Sequence, residues 1–211
     1  MAKTGGTVEV AINQDQFDLK GEAQSGVETA PATYEVEIQG VSAILFHRWD
    51  VAAIEAKGKA KKNSAEKKTD NVESYCYRCE NGDLGLPAEN LHMALAWAGK
   101  SKADPRSPRK SAHELVKAVL LITPEVISFG QTKWDYQDMR RVQIQRQGVT
   151  RTRPALRSGW TLKFHITVLE SSYVDEIFLK ELIDAAGRFV GVCDHRPQFG
   201  RFSVIKFGRL F

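Results

Sequence analysis

The clearest alternation in the chain lies at Trp160, Leu162, Phe164, Ile166 and Val168, which are interleaved with Thr161, Lys163, His165 and Thr167. A period of two sends one set to a buried face and the other to a solvated one, so this segment predicts a half-buried β-strand. Tyr34, Val36 and Ile38 alternate with Glu35, Glu37 and Gln39 in the same way. After Gly40, the run Val41 to Phe46 predicts a buried strand or a bulged extension of the first. Ala118–Ile122, Val126–Phe129, Val190–Val192 and Phe202–Phe207 are further strand material. Tyr75-Cys76-Tyr77 followed by Asn81-Gly82 predicts a short hairpin, because Asn-Gly accepts the positive φ angles of a tight turn.

Helical spacing appears in three places. Leu86-Pro87 leads into a predicted helix over Glu89 to Ala98, with Leu91, Leu95 and Ala98 on one stripe. A short helix is predicted near Ala112–Lys117. Asp175 to Ala186 predicts an amphipathic helix with Val174, Ile177, Phe178, Leu182 and Ala185 on one side, ended by Gly187. The order strand, insertion, helix, strands, helix, strand predicts an α+β fold. Its expected form is a ferredoxin-like or RRM-type antiparallel sheet of four strands with two helices on one face. Such a sheet leaves its other face free, and nucleic-acid binders commonly use that face.

Residues 1–32 are rich in Gly, Gln, Glu, Ala and Thr and predict a flexible N-terminal arm that orders on a neighbouring subunit. The domain is expected over 33–211, with insertions at 51–75 and 126–157 that form basic loops or a thumb-like hairpin. Within the first insertion Lys57, Lys59, Lys61, Lys62, Lys67 and Lys68 face only Glu55, Glu66 and Asp70, which predicts a mobile basic loop or a loose helix. Lys100 to Lys110, broken by Pro105 and Pro108, predicts a second basic loop.

Charge sharpens this picture. The 211 residues carry a net charge of +4, but the first 32 are net −3, so the remaining body is net +7 and attracts anions. Between Met139 and Trp160 stand Arg140, Arg141, Arg146, Arg151, Arg153 and Arg157 with no acidic residue, among Gln143, Gln145, Gln147, Thr150, Thr152 and Ser158. Arginine presents a planar fork of donors that keeps its charge and suits phosphate oxygens, and the amides and hydroxyls suit sugars and bases. The alternative is a solvated strand face balanced by carboxylates elsewhere. Trp134, Tyr136 and Phe199 are the candidate stacking rings.

Between Gly191 and Val204, two glycines (Gly191 and Gly200) bracket Arg196, Pro197, Phe199 and Arg201. Glycine allows close backbone approach and the proline turn orients both arginines, as a ligand loop needs. The equal alternative is a bulge or hairpin connection whose arginines pair with helix carboxylates such as Asp184.

Other chemistry is thinly marked. Cys76-Tyr77-Arg78-Cys79 has the spacing of half a zinc knuckle, but Cys193 is the only other cysteine, so buried or half-exposed thiols are expected instead. Three cysteines, no membrane-length apolar run and no apolar leader make a reducing cytoplasm the expected compartment. Asp194-His195 offers a base near neutrality, although adjacent loop residues tend to point apart. No phosphate-binding loop, dinucleotide fingerprint or nucleophile elbow is present, and no cofactor or metal is expected.

The layout resembles the RAMP superfamily, the RRM-based proteins that include backbone subunits of CRISPR effector complexes and compact phage or prophage relatives. Leu84-Gly-Leu-Pro-Ala-Glu-Asn-Leu-His-Met-Ala-Leu95 is similar to that family's hydrophobic–Pro–Gly–Ser–Ser–Leu–Lys–Gly approach to its first helix. Gly191–Val204 resembles its glycine-rich loop before the last strand, and the two insertions fall where such subunits carry theirs. The resemblance implies a non-catalytic subunit that binds single-stranded nucleic acid, RNA before DNA, and assembles along it as a homo-oligomer or filament, with other effector subunits as further partners. The expected contacts are the six arginines of the run, Arg196 and Arg201, and Trp134, Tyr136 and Phe199. Rival readings are a phage single-stranded-DNA-binding or annealing protein, a metal-independent RNA endonuclease using His47 or His195, and a phage assembly protein.

Overall fold

The computed structural model describes residues 30–59, 71–144 and 147–210. Its strands are β1 (Ala32–Gly40), β2 (Ile44–Leu45), β3 (Tyr77–Arg78), β4 (Leu84–Pro87), β5 (Ala103–Asp104), β6 (Ser107–Ser111), β7 (Leu120–Thr123), β8 (Val126–Ser128), β9 (Tyr136–Ile144), β10 (Gln147–Leu156), β11 (Thr161–Val168) and β12 (Phe202–Arg209). Its α-helices are α1 (Val51–Lys59), α2 (Ala88–Ala98), α3 (His113–Val119) and α4 (Glu176–Ala185). The principal sheet runs β12-β1-β11-β7, with every neighbour antiparallel. With α2 between β1 and β7 and α4 between β11 and β12, this is the ferredoxin-like arrangement.

The two alternating segments form the centre of that sheet, with Val36 opposite Phe164 and Ile38 opposite Leu162. Tyr34, Val36, Ile38, Leu162, Phe164, Ile166 and Val168 are all buried on the face that the helices cover. Leu91, Ala94, Leu95 and Ala98 from α2 and Leu179, Leu182 and Ile183 from α4 join the same core. Asp175 caps α4 by accepting a 2.7 Å hydrogen bond from the Phe178 amide, which stabilises a helix start by about 1 kcal/mol.

The free face of the sheet differs from the expectation. It presents Glu35 and Glu37 from β1 and Lys163 and His165 from β11, with no aromatic ring from either central strand. Lys163 and Lys206 both bond the Glu35 carboxylate, at 2.6 and 2.5 Å, and hold its pKa down at about 2. A face with carboxylates at its centre and no stacking rings is poorly suited to a nucleic-acid strand.

Several local expectations are corrected. Ile177 is 70% exposed, so the buried stripe keeps Val174, Leu182 and Ala185, with Phe178 packed at its margin, and gains Leu179 and Ile183 in place of Ile177. Gly187 does not end that helix: a wide turn, Ala186–Val190, continues it to Gly191. Gly187 is required because a Cβ there would collide with the Phe202 carbonyl of β12. Val190–Val192 is consequently a helix exit rather than a strand. Lys100 to Lys110 contains the small β5–β6 hairpin, anchored by Asp104 gripping Arg106 at 2.8 Å. The Lys-rich stretch begins as α1; residues 60–70, like most of the N-terminal arm, lie outside the described residues.

Two smaller sheets surround the main one. β3-β4-β8 carries the Asn81-Gly82 turn, with Gly82 at φ 85°. β2-β10-β9 contains the long β9–β10 hairpin inserted before β11. No helix among the described residues is long and apolar enough to cross a membrane.

Candidate nucleic-acid interface

The loop between α4 and β12 is built on backbone geometry that few residues tolerate. Gly191 and Gly200 have φ of 75° and 73°, and a Cβ on Gly200 would run into the Val192 backbone. Glycine alone fits that crossing. Cys193 and His195 also adopt left-handed φ, at 62° and 58°. The Cys193 amide donates to Asn90 Oδ1 at 2.8 Å, so the loop is tied to the first turn of α2. The two segments similar to RAMP motifs therefore meet at one hydrogen bond.

A spine formed by residues 42–46 lies between this loop and the β9–β10 hairpin. On one edge, Gly200 donates to the Ala43 carbonyl at 2.8 Å and Asp194 donates to the Leu45 carbonyl at 3.1 Å. On the other edge, β2 pairs with Ala155 and Leu156 of β10, and the Phe46 amide donates to the Pro154 carbonyl at 3.0 Å. Both edges have their backbone groups satisfied, so the hairpin base and the glycine-framed loop are fixed relative to each other.

Register then sorts the arginines. Arg140 lies opposite Arg151, and Asp138 opposite Arg153, so these four share one face of the hairpin. Arg141 and Met139 occupy the other face and are exposed. Arg140 is clamped by Asp138 through Nε at 2.5 Å and Nη2 at 2.9 Å, and its guanidinium lies 4.4 Å from the Phe199 ring centre. Its Nη1 donors remain outside that clamp. Arg151 is half-buried with no ion pair among the described residues. Arg146 lies outside the described residues, and exposed Arg157 packs over the Tyr136 ring at 5.2 Å.

Arg153 requires a correction. It is 6% exposed, with Nε 2.5 Å from Asp194 Oδ2, and is therefore an internal tie rather than a phosphate contact. The approach lies outside hydrogen-bond angles, so the attraction is chiefly coulombic, and Arg153 Nη1 has no partner among the described residues. Asp194 also sits 3.6 Å from His47 Nδ1. His195 turns the other way, with its ring 5.7 Å from that of Phe199. Asp194 and His195 consequently do not form a pair.

Arg196 and Arg201 are both exposed at the loop surface. Arg201 Nε donates to the Pro197 carbonyl at 2.7 Å, which fixes the stem and leaves the terminal nitrogens outward. The proposed pairing with Asp184 is absent, since that carboxylate faces Lys180 at 3.7 Å.

Of the stacking candidates, Trp134 packs against the core, while Tyr136 and Phe199 each lie under an arginine. The most exposed rings among the described residues are others: Trp49, Phe189, Trp97 and Tyr173, the last three each beneath a cation on one face, from Arg188, Lys100 and Arg106 respectively. Trp97 was legible as a ring off the Leu91–Leu95 stripe of its helix, and Trp49 as one directly after His47-Arg48. Burial pushes the Cys76 thiol up to about 12 and raises Cys193 and Cys79 as well, which disfavours their thiolate forms. All three are free, and the described residues contain no cluster of three or more metal-ligating side chains.

No protein-family model matches the sequence, and no curated protein does. Among solved structures, the chain is similar to a chain in the cryo-EM structure of the Type III-B Cmr-beta bound to cognate target RNA. The TM-score is 0.50 at 9% identity, covering 86% of this chain and 61% of the other. The chain thus spans less than two thirds of that neighbour's length, and the likeness is one of fold.

Proposed function

We propose that this protein is a RAMP-like, non-catalytic subunit that binds single-stranded RNA and assembles along it side by side. The observation that carries this reading is the convergence of two phosphate-suited surfaces on one rigid spine. The β9–β10 hairpin presents Arg140 and Arg151, and the glycine-framed loop presents Arg196 and Arg201. Their backbones are fixed before any ligand arrives, which reduces the ordering cost of binding. The strand runs across the hairpin base and the loop, not over the free face of the sheet, whose lysines are bound to Glu35.

Support for RNA comes from the solved neighbour, a chain of a Cmr complex that holds target RNA, and other effector subunits are the expected further partners. A nuclease built on His195 is disfavoured by the commitment of Asp194 to Arg153 and His47, which removes the carboxylate that would orient His195. The test is fluorescence anisotropy with 30-nucleotide RNA and DNA of one sequence over a range of salt. Binding with a steep inverse salt dependence, tighter for RNA, is expected. Equal or tighter DNA binding would move the protein to the single-stranded-DNA reading, and no binding to either would leave the arginines as subunit contacts.

A further inference from the structure

Beside the C-terminal loop, Arg196 and Pro197 form one wall of an open groove completed by Trp97, Phe189 and Val190. Trp97 is 48% exposed and Phe189 67%, and neither belongs to the core. Cations crowd this spot: Lys100 Nζ lies 3.5 Å from the Trp97 ring centre, and the Arg188 guanidinium lies 5.4 Å from that of Phe189. Two acidic groups in the later turns of the adjoining helix are already paired. Glu181 is held by Lys102 at 2.5 Å and Asp184 faces Lys180. None of Lys100, Arg188 and Arg196 forms an ion pair with the described residues.

Two exposed rings rimmed by three cations without a direct ion-pair contact match a base with its flanking phosphates better than an apolar protein surface. Ring faces accept any base, and ammonium and guanidinium groups take the phosphates on either side. We infer that the Trp97–Phe189 groove is a nucleobase-stacking subsite, where the strand continues after crossing the Arg196-Pro197 turn from the hairpin side. This inference rests on the single-strand-binding reading and extends it from phosphate contacts to a defined base position. The loop then divides the ligand path: phosphates at Arg140, Arg151 and Arg201 on one side, a stacked base at Trp97 and Phe189 on the other.

The experiment uses the full chain, oligouridine RNA carrying 4-thiouridine at single positions, and the variants Trp97→Ala, Trp97→Phe and Trp97→Ala/Phe189→Ala. Both rings are exposed, so thermal melts of the variants should match the parent. Expected results are photocrosslinks mapped to Trp97 or Phe189 and an affinity loss of about five- to 150-fold for the double variant, the range that stacking of a base supplies. Trp97→Phe should recover most of the affinity. Unchanged RNA affinity in the double variant, with crosslinks only near Phe199 and Arg140, overturns the subsite and leaves the binding function standing. Unchanged RNA affinity with reduced self-association in sedimentation also overturns it, assigning the groove to a second copy of the chain. Failure of the parent protein to bind oligouridine at all overturns the function and the subsite together.

Discussion

Arg153 on β10 and Asp194 in the C-terminal loop meet inside the protein, with Arg153 Nε 2.5 Å from Asp194 Oδ2, and so join the inserted hairpin to the loop before the last strand. An arginine taken from water is tolerated only beside a compensating charge. Removing one partner of a fully buried pair costs about 3–5 kcal/mol, and less is expected here because Asp194 retains 31% side-chain exposure. Asp194→Ala should therefore lower the urea midpoint clearly. Adding Arg153→Met to it should recover part of that loss, because the stranded charge is gone. A double variant weaker than Asp194→Ala would show that the pair adds more than mutual neutralisation.

The two faces of the hairpin make separable predictions for binding. Arg151 faces the C-terminal loop, whereas Arg141 faces away. Arg151→Ala should reduce the slope of log affinity against log salt by about 0.7, the contribution of one phosphate contact on a single strand. Arg141→Ala should leave the slope unaltered. Equal reductions from both would mean that the strand wraps the hairpin rather than crossing its base.

Core assignments are tested by contrast. Phe164 is almost fully buried and Ile177 is 70% exposed, although both stand in apolar stripes of the sequence. Phe164→Ala should destabilise by about 3–5 kcal/mol, and Ile177→Ala by no more than about 0.5 kcal/mol. Equilibrium urea unfolding separates the two, and a larger loss at Ile177 would place the helix α4 in the wrong rotation.

How far such features were legible depends on the range of the interaction. Period-two alternation identified β1 and β11 because burial on one face acts residue by residue. The α4 stripe was right at Val174, Leu182 and Ala185 and in packing Phe178 against the core, but Ile177 is exposed, a distinction set by tertiary packing that helical spacing alone does not carry. Arg153 could not be told from Arg151 by composition: their different fates follow from register with β9 and from Asp194, forty-one positions away in the chain. The free sheet face was assigned by analogy, yet Glu35 and Glu37 were visible in the alternation and already argued against phosphate. Phe199 was recognised as a ring of the Gly191–Val204 loop, but its cover by Arg140 is a tertiary contact with no local signal.

Glu35 links this fold to pH. Its carboxyl is held at about 2 against an ordinary value near 4.5, chiefly by hydrogen bonds from Lys163 and Lys206. A carboxylate whose folded pKa is depressed contributes stability that is complete above the unfolded value and lost as pH falls through the folded one. The melting temperature should accordingly decline from about pH 4.5 towards pH 2, and Glu35→Gln should flatten that decline by lowering the melting temperature at neutrality while changing it little near pH 2. Lys163→Ala should reproduce part of the flattening. An identical acid profile in Glu35→Gln would transfer the effect to other carboxylates.

Assembly provides the remaining test. The first 32 residues are net −3 and the rest of the chain net +7, so in the proposed assembly one subunit's acidic end would complement the body of the next. Head-to-tail contacts of this kind build an open filament when the rotation does not close. A strand lying across the hairpin and the C-terminal loop would bridge neighbours and make binding cooperative. Replacing Arg196 and Arg201 with glutamate should abolish binding more completely than alanine does, since like charge then opposes phosphate. In multi-angle light scattering, complexes on RNAs of 15, 30 and 60 nucleotides (about one-, two- and fourfold in length) should grow in mass by whole subunits. A constant particle mass at every length would end the filament model in favour of a closed ring or a monomer.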